Sequence, residues 1–401
     1  MAQKTKKSKS TASILAIIFF VILGGVFLVT GNDPLGIFTP EEITPTSVVA
    51  VVEGDAPTVE QSQPVATRAA EDWYQIYFTD PNTINDPENL AGSIPENLIE
   101  RINNAKQVIH IAAFEFNLTP VAEALIAAHE RGVDVRWVTD DEHGIDSDEE
   151  DGHGQFAMLK DAGIQVKDDQ RGALMHNKFI IFDNQTVWTG STNLTVNGNF
   201  HNNNNVIVIQ STRLAAIYEL EFDELWAGEF GPRSPSTVER QSLTINGTPI
   251  QVLFAPEDKV MEKLVPIIEE AQHNIRFMAF SFTYVDLGEA VMARAEAGVD
   301  VKGIFETRGS QTEYSELPAM YCAGLAVRQD GNPQTFHHKV IIIDDEIVIT
   351  GSLNFSNNAD SSNDENVIIL ANSDIAAQYL AEFDRRWAEA QAPDAADMNC
   401  K

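Results

Sequence analysis

The segment HNKFIIFDNQTVWTGSTN, His176 to Asn193, is answered 161 positions later by HHKVIIIDDEIVITGSLN, His337 to Asn354. Both read H-x-K-x4-D-x6-G-S-x-N. This recurrence constrains the fold more than any other feature of the chain, because a long motif repeated at fixed spacing calls for two equivalent structural units. It also presents an imidazole, an ammonium and a carboxamide twice, as one site built from two halves would need.

The duplication reaches beyond the motif. Strand-like VIHIAAFEF (Val108 to Phe116) is matched by IRFMAFSF (Ile275 to Phe282), each after a helix-patterned segment. A helical stretch then stops at Gly132-Val133-Asp134-Val135 or at Gly298-Val299-Asp300-Val301, with the valines opening the next strand. AGIQV and AGLAV follow, then KFIIFD and KVIIID, then VIVI and VIIL. A closing helix carries Phe222 to Trp226 in one copy and Phe383 to Trp387 in the other. Strands alternating with helices predict an α/β fold with a mostly covered sheet. Early landmarks are offset by 166 residues and later ones by 161, so a five-residue difference falls around Asp140 to Gly154. That acidic run is expected to be a solvated loop, with an electrostatic gate as the sharper alternative. Asp151 stands where a calcium-binding EF loop needs glycine, so that motif does not fit.

The net charge of −33 disfavours a nonspecific nucleic-acid binder, since such a surface repels polyanions. Solubility or a saline habitat is the plain account of the acidity. Four lysines in the first ten residues precede a charge-free run, Ser10 to Asn32. Its apolar heart, Ile14 to Val29, predicts an export signal or an uncleaved anchor, and Val29-Thr30-Gly31 is only a weak cleavage site. The positive-inside rule puts the N-terminus in the cytoplasm and the remainder outside. The expected organisation is a basic tail (1–11), a transmembrane signal-anchor (12–31), a linker with five prolines and no basic residue (32–66), repeat one (67–236), repeat two (237–393) and a short tail (394–401). The expected location is the cell membrane with the catalytic part outside, or secretion if the signal is removed. Two cysteines, Cys322 and Cys400, form the one disulfide possible within the chain or stay free. No zinc-ligand spacing appears.

The motif residues suit phosphoryl chemistry. On a strand, His176 and Lys178 would share one face, as would His337 and Lys339. Asp183 and Asp344 fall where the strand ends, and a supporting turn or ion-pair role is expected for them. Gly190 and Gly351 allow close backbone approach. Ser191, Asn193, Ser352 and Asn354 offer donors to phosphoryl oxygens. One histidine would attack phosphorus while the other protonates the leaving oxygen and then activates water. The lysines supply positive charge, so no metal and no cofactor is required.

With both motifs complete, the chain resembles the phospholipase D superfamily over residues 70 to 390. The resemblance implies a tandem-repeat, bilobed α/β/α sandwich with the active site at the pseudo-twofold interface. It implies a phosphohistidine intermediate, a monomer sufficient for activity, and a phosphate pocket of His176, Lys178, Asn193, His337, Lys339 and Asn354. The family often carries an acid downstream that bonds a catalytic histidine. Glu365 stands 28 residues after His337, and the same offset from His176 gives Asn204. His337 is therefore expected to be the more basic histidine, although the first histidine attacks in several branches.

The motif does not choose the substrate. Membrane tethering, acidity and a complete single-chain site favour a phospholipid headgroup diester. Compact spacing keeps a secreted, metal-independent endonuclease as the alternative, with nucleic acid a partner only in that case. A cardiolipin-synthase-type transferase and a non-catalytic binding module are the weaker readings.

Overall fold

The computed structural model describes residues 73–235 and 241–400. The expected tail, anchor, cleavage site and linker (1–66) lie outside the described residues, as does the boundary expected between the repeats at 236 and 237. Among the described residues no helix is long and apolar enough to cross a membrane.

Each repeat forms one lobe around one mixed sheet. The first holds β1 (Tyr74–Phe78), β2 (Val108–Ala113), β3 (Asp134–Thr139), β4 (Gln165–Asp168), β5 (Lys178–Phe182), β6 (Thr186–Gly190) and β7 (Asn205–Gln210), in the order β1-β7-β6-β5-β2-β3-β4. The second holds β8 (Ser242–Ile245), β9 (Thr248–Ala255), β10 (Asn274–Ala279), β11 (Asp300–Phe305), β12 (Ala326–Gln329), β13 (Lys339–Ile343), β14 (Ile347–Gly351) and β15 (Glu365–Ala371), in the order β12-β11-β10-β13-β14-β15-β9-β8. Strands joined through helices pair parallel, as β2 with β3 and β10 with β11. The motif strands form antiparallel hairpins, β5 with β6 and β13 with β14.

The hairpin turns explain two motif positions. Asp183 and Asn184 have φ of 52° and 55°, and Asp344 and Asp345 have 54° and 55°. Consecutive left-handed residues make the primed turn that matches strand twist, and Asp and Asn tolerate it. The motif glycines have a separate cause. A Cβ at Gly190 would lie 2.3 Å from the Asn205 carbonyl oxygen, and one at Gly351 would lie 2.2 Å from that of Asn366.

Alternation along the motif strands sends side chains to two cores. Phe179 and Ile181 face a core shared by the lobes, while Ile180 and Phe182 face the outer core of lobe one. The shared core also takes Val340 and Ile342 from β13, and Tyr218 and Phe222 from the closing helix of lobe one (Thr212–Ala227). Tyr379 and Phe383 join it from the closing helix of lobe two (Ser373–Glu389). Both long helices thus lie between the two sheets, and the described residues belong to one compact unit. Cys322 and Cys400 form the disulfide that ties the tail to lobe two.

Candidate active site

The lobes interlock where the motifs begin. His176 N–H donates to Asp364 O at 2.9 Å, and Asp364 N–H donates to Leu174 O at 2.9 Å. In mirror fashion, His337 N–H donates to Asn203 O and Asn203 N–H donates to Thr335 O, both at 2.9 Å. Each histidine segment therefore pairs with the lead-in to a strand of the other lobe. Both strands start at the lysine, so the histidines stand just ahead of the regular strand rather than inside it.

This crossing reassigns the acidic partner. His176 Nδ1 lies 2.8 Å from both Glu365 oxygens, whereas His337 Nδ1 lies 2.9 Å from Asn204 Oδ1. The expectation that Glu365 would serve His337, its neighbour in sequence, is overturned. The carboxylate of lobe two serves the imidazole of lobe one, because each motif is threaded against the opposite β7 or β15. A carboxylate that accepts from Nδ1–H holds the tautomer with a free Nε2 and raises its basicity. His176, not His337, is the histidine so equipped. Asn204 Oδ1 also accepts from Ser191 Oγ at 2.8 Å, and its amide donates to Gly198 O. Its oxygen is therefore the atom facing His337, which leaves Nε2 free there too.

The serines differ from expectation. Ser191 and Ser352 are fully buried, and Ser352 Oγ donates to Glu365 Oε2 at 2.6 Å. Each hydroxyl donates to the partner of a histidine. Asp183 and Asp344 take the turn role expected of them. Asp183 accepts from the backbone N–H groups of Lys106, Gln107 and Val108, and Asp344 from those of Gln272, His273 and Asn274. They clamp the entry to β2 and β10 onto the hairpin turns. Asn193 donates to Glu115 at 3.0 Å, and neither its Oδ1 nor that of Asn354 meets a donor.

Both lysines are buried, each donating to the carbonyl of its own motif histidine at 2.8 Å. Lys178 sits over the Phe114 ring at 5.0 Å and Lys339 over Phe280 at 4.7 Å, and the same rings meet His176 and His337 edge-on. These phenylalanines were missed from sequence, although both occupy the same place in the repeated strand segments. Glu115 was missed as well, and the matching position of lobe two is Ser281.

Burial and mutual repulsion set the electrostatics. Burial lowers Lys178 to about 8, against the pull of Glu365, Glu115 and Asp140. Burial, then Lys178, hold Lys339 well below the usual lysine value. Both histidines are held well below theirs by burial, then by the lysines. Burial raises Glu365 to about 8 despite Lys178 and the Ser352 and Asn363 hydrogen bonds. The two lysines and two histidines thus share a buried pocket in which the lysines repel one another and the imidazoles, and an incoming anion would relieve that repulsion.

The acidic loop is more ordered than expected. Asp140 is buried and accepts from the N–H groups of His143 and Met175, the residue before His176. Asp148 accepts from the N–H groups of Gly154, Phe156 and Ala157, capping the helix Gln155–Asp161.

The family described as "Cardiolipin synthase, PLD-like domain" matches residues 98–226 and 264–387, one stretch in each lobe. The chain is 33% identical over 132 residues to a mitochondrial cardiolipin hydrolase of Xenopus tropicalis, covering 33% of this chain and 63% of that protein. It is 31% identical over 134 residues to a phospholipase D of Rickettsia conorii, covering 33% of this chain and 67% of that protein. The chain thus spans just under two thirds of the length of the Xenopus protein. A phosphatidylserine synthase of Haemophilus influenzae shares the fold, with a TM-score of 0.58 over 80% of this chain and 87% of that one at 15% identity.

Proposed function

We propose that this chain, which belongs to the phospholipase D superfamily, is a phosphodiesterase that hydrolyses a phospholipid headgroup ester through a phosphohistidine on His176. The observation that carries the reading is the crossed wiring, Glu365 on His176 and Asn204 on His337, with one motif lysine beside each imidazole.

Nε2 of His176 attacks phosphorus while the P–O bond to the leaving group breaks. Protonated His337 gives its Nε2 proton to the departing oxygen. Its partner is a neutral carboxamide, so its imidazolium is the more acidic of the two. Water then attacks the phosphohistidine, His337 takes the water proton, and the P–N bond breaks. Lys178 and Lys339 hold the phosphoryl oxygens, and the charge that develops there compensates two buried ammoniums. Asn193 and Asn354 flank the same oxygens.

Relatives named for cardiolipin and phospholipid hydrolysis support a lipid substrate, and the net charge of −33 works against a nucleic acid. The charge-free run from Ser10 to Asn32 supports an anchor that holds the lobes outside the cytoplasm. The compact lobes favour a secreted endonuclease as the second reading.

The test is to give the purified chain cardiolipin, phosphatidylcholine and single-stranded DNA, each labelled at the phosphate, and to trap and map the labelled enzyme. Headgroup or phosphatidyl release is expected, with label on His176 and none in His176→Ala. Lys339→Ala should lower kcat by about 100-fold or more, as loss of one transition-state donor does. Label on His337 would reverse the assigned roles, and cleavage of DNA alone would replace the lipid reading.

A further inference from the structure

The pseudo-twofold relation pairs Glu221 on the closing helix of lobe one with Glu382 on that of lobe two, 161 positions apart. Both are buried, at 3% exposure each. Glu382 is fully neutralised. His338 Nε2 lies 3.2 Å from its Oε1, Arg386 Nε donates to the same oxygen at 2.7 Å, and Arg385 Nε donates to Oε2 at 2.9 Å. The same arginines reach into lobe one, Arg385 to Asp80 at 3.2 Å and Arg386 to Thr79 O at 2.8 Å. They join the closing helix of lobe two to the chain just after β1.

None of these cations exists on the other side. Positions equivalent to His338, Arg385 and Arg386 are Asn177, Glu224 and Leu225. Among the described residues no hydrogen-bond or ion-pair partner meets the Glu221 carboxylate. Burial raises it well above the usual carboxyl value, and among the described residues the acids Glu257, Asp364, Glu224 and Asp258 add to this, although Asp364 is itself paired with Arg171 and Asp258 with Lys263. Glu257, half-buried, follows β9 of lobe two, whose Phe254 meets Tyr218 of this helix as Phe78 of β1 meets Tyr379 of the other. One oxygen from each of Glu221, Glu224 and Glu257 lies within 4.8 Å of the others. Ligand oxygens 2.3–2.6 Å from a common calcium ion are at most ~5 Å apart, so the three can share one ion. A second acidic group, Asp140, Asp141 and Asp169, has no such need. Its carboxylates accept from the N–H groups of His143, Met175, Glu142 and Asp141, and from Arg171.

We propose that Glu221, Glu224 and Glu257 bind a hard divalent cation, Ca2+ by preference, which does at this lobe junction what Arg385 and Arg386 do at the other. Ca2+ fits better than Mg2+ because it accepts irregular oxygen shells, whereas Mg2+ demands a near-ideal octahedron and keeps its water. The ion is structural and stands apart from the phosphoryl chemistry. It binds the folded lobes and not the unfolded chain, so it raises stability by mass action.

The test uses the full chain, stripped with EDTA and dialysed. Calorimetric titration with CaCl2 is expected to show one ion per chain. Melting followed by tryptophan fluorescence should rise by about 4 °C at 100 times Kd. Glu257→Gln, at a half-buried position, should abolish both effects. Glu221→Gln should abolish binding while raising the melting temperature of the stripped protein, since it removes an unpaired buried charge. Asp169→Asn should leave the titration unchanged. Absence of Ca2+ heat, binding that survives Glu257→Gln and Glu221→Gln, or stabilisation by acid alone would overturn the proposal. The last outcome would make a shared proton the neutralising species. Equal or stronger stabilisation by MgCl2 would overturn the choice of ion.

Discussion

At the scale of single residues, the site turns on what faces each imidazole. Glu365→Gln keeps the shape of the partner and removes its charge, so His176 loses basicity without losing its place. We expect kcat to fall about 10–100-fold with KM little changed. Asn204→Asp tests the other half. A carboxylate beside His337 stabilises its imidazolium and raises its pKa. The alkaline limb of the rate profile, where the proton donor is lost, should therefore move to higher pH. A profile that does not move would mean that His337 is not the acid. The motif residues His176, Lys178, His337 and Lys339 were legible in sequence because their spacing repeats, and the structure brings them into one buried cluster. The wiring was not. Glu365 stands 28 positions from His337 and 189 from His176, yet it bonds the latter. Sequence distance favours the partner in the same copy, and only the threading of one lobe into the other reverses it. The serines were misread for the same reason, since a hydroxyl pointing at phosphate and one pointing at a buried partner look alike in a motif.

At the scale of elements, the motif aspartates are hairpin residues that happen to travel with the catalytic ones. Burial pushes the Asp344 carboxyl up, but three backbone N–H donors outweigh it and hold it below its ordinary 3.8. Its stabilising effect is complete above the unfolded value and is lost as pH falls through the lower folded one. Asp344→Ala should cost about 1–2 kcal/mol in urea unfolding at pH 7, and progressively less as pH falls below the unfolded value of about 3.9. Activity per folded molecule should persist. A loss of activity as deep as that of His176→Ala would place Asp344 in the chemistry after all. The strands and closing helices were legible because apolar runs and the Phe-to-Trp segments recur in both copies. The ordering of Asp140 to Gly154 was not, because an acidic run reads as solvated until the backbone N–H groups that Asp140 and Asp148 accept are seen.

At the scale of the whole molecule, the lobes share a core as well as a site. Phe179, Tyr218, Phe254, Ile342 and Tyr379 belong to one buried cluster drawn from both halves, so either half alone would expose it. The disulfide acts differently, closing a loop of 78 positions within lobe two. In the chain-entropy account such a crosslink contributes about 4 kcal/mol. Reduction, or Cys400→Ser, should lower the melting temperature by several degrees and leave activity at 25 °C intact. Cys322 ends a helix that returns from the site to the start of β12, at the far end of the sheet. Inactivation by reduction at 25 °C would show that the tail reaches the chemistry.

A pocket made of two identical halves would read a phosphodiester the same way from either end, and its two ester oxygens would be interchangeable. The carboxylate of Glu365 facing the carboxamide of Asn204 removes that degeneracy. On the proposed roles, one side of the pocket is the side from which phosphorus is approached, and the other is the exit for the alcohol. A near-symmetric scaffold thereby acquires a direction, and a substrate with two unlike arms has one productive way to lie in it.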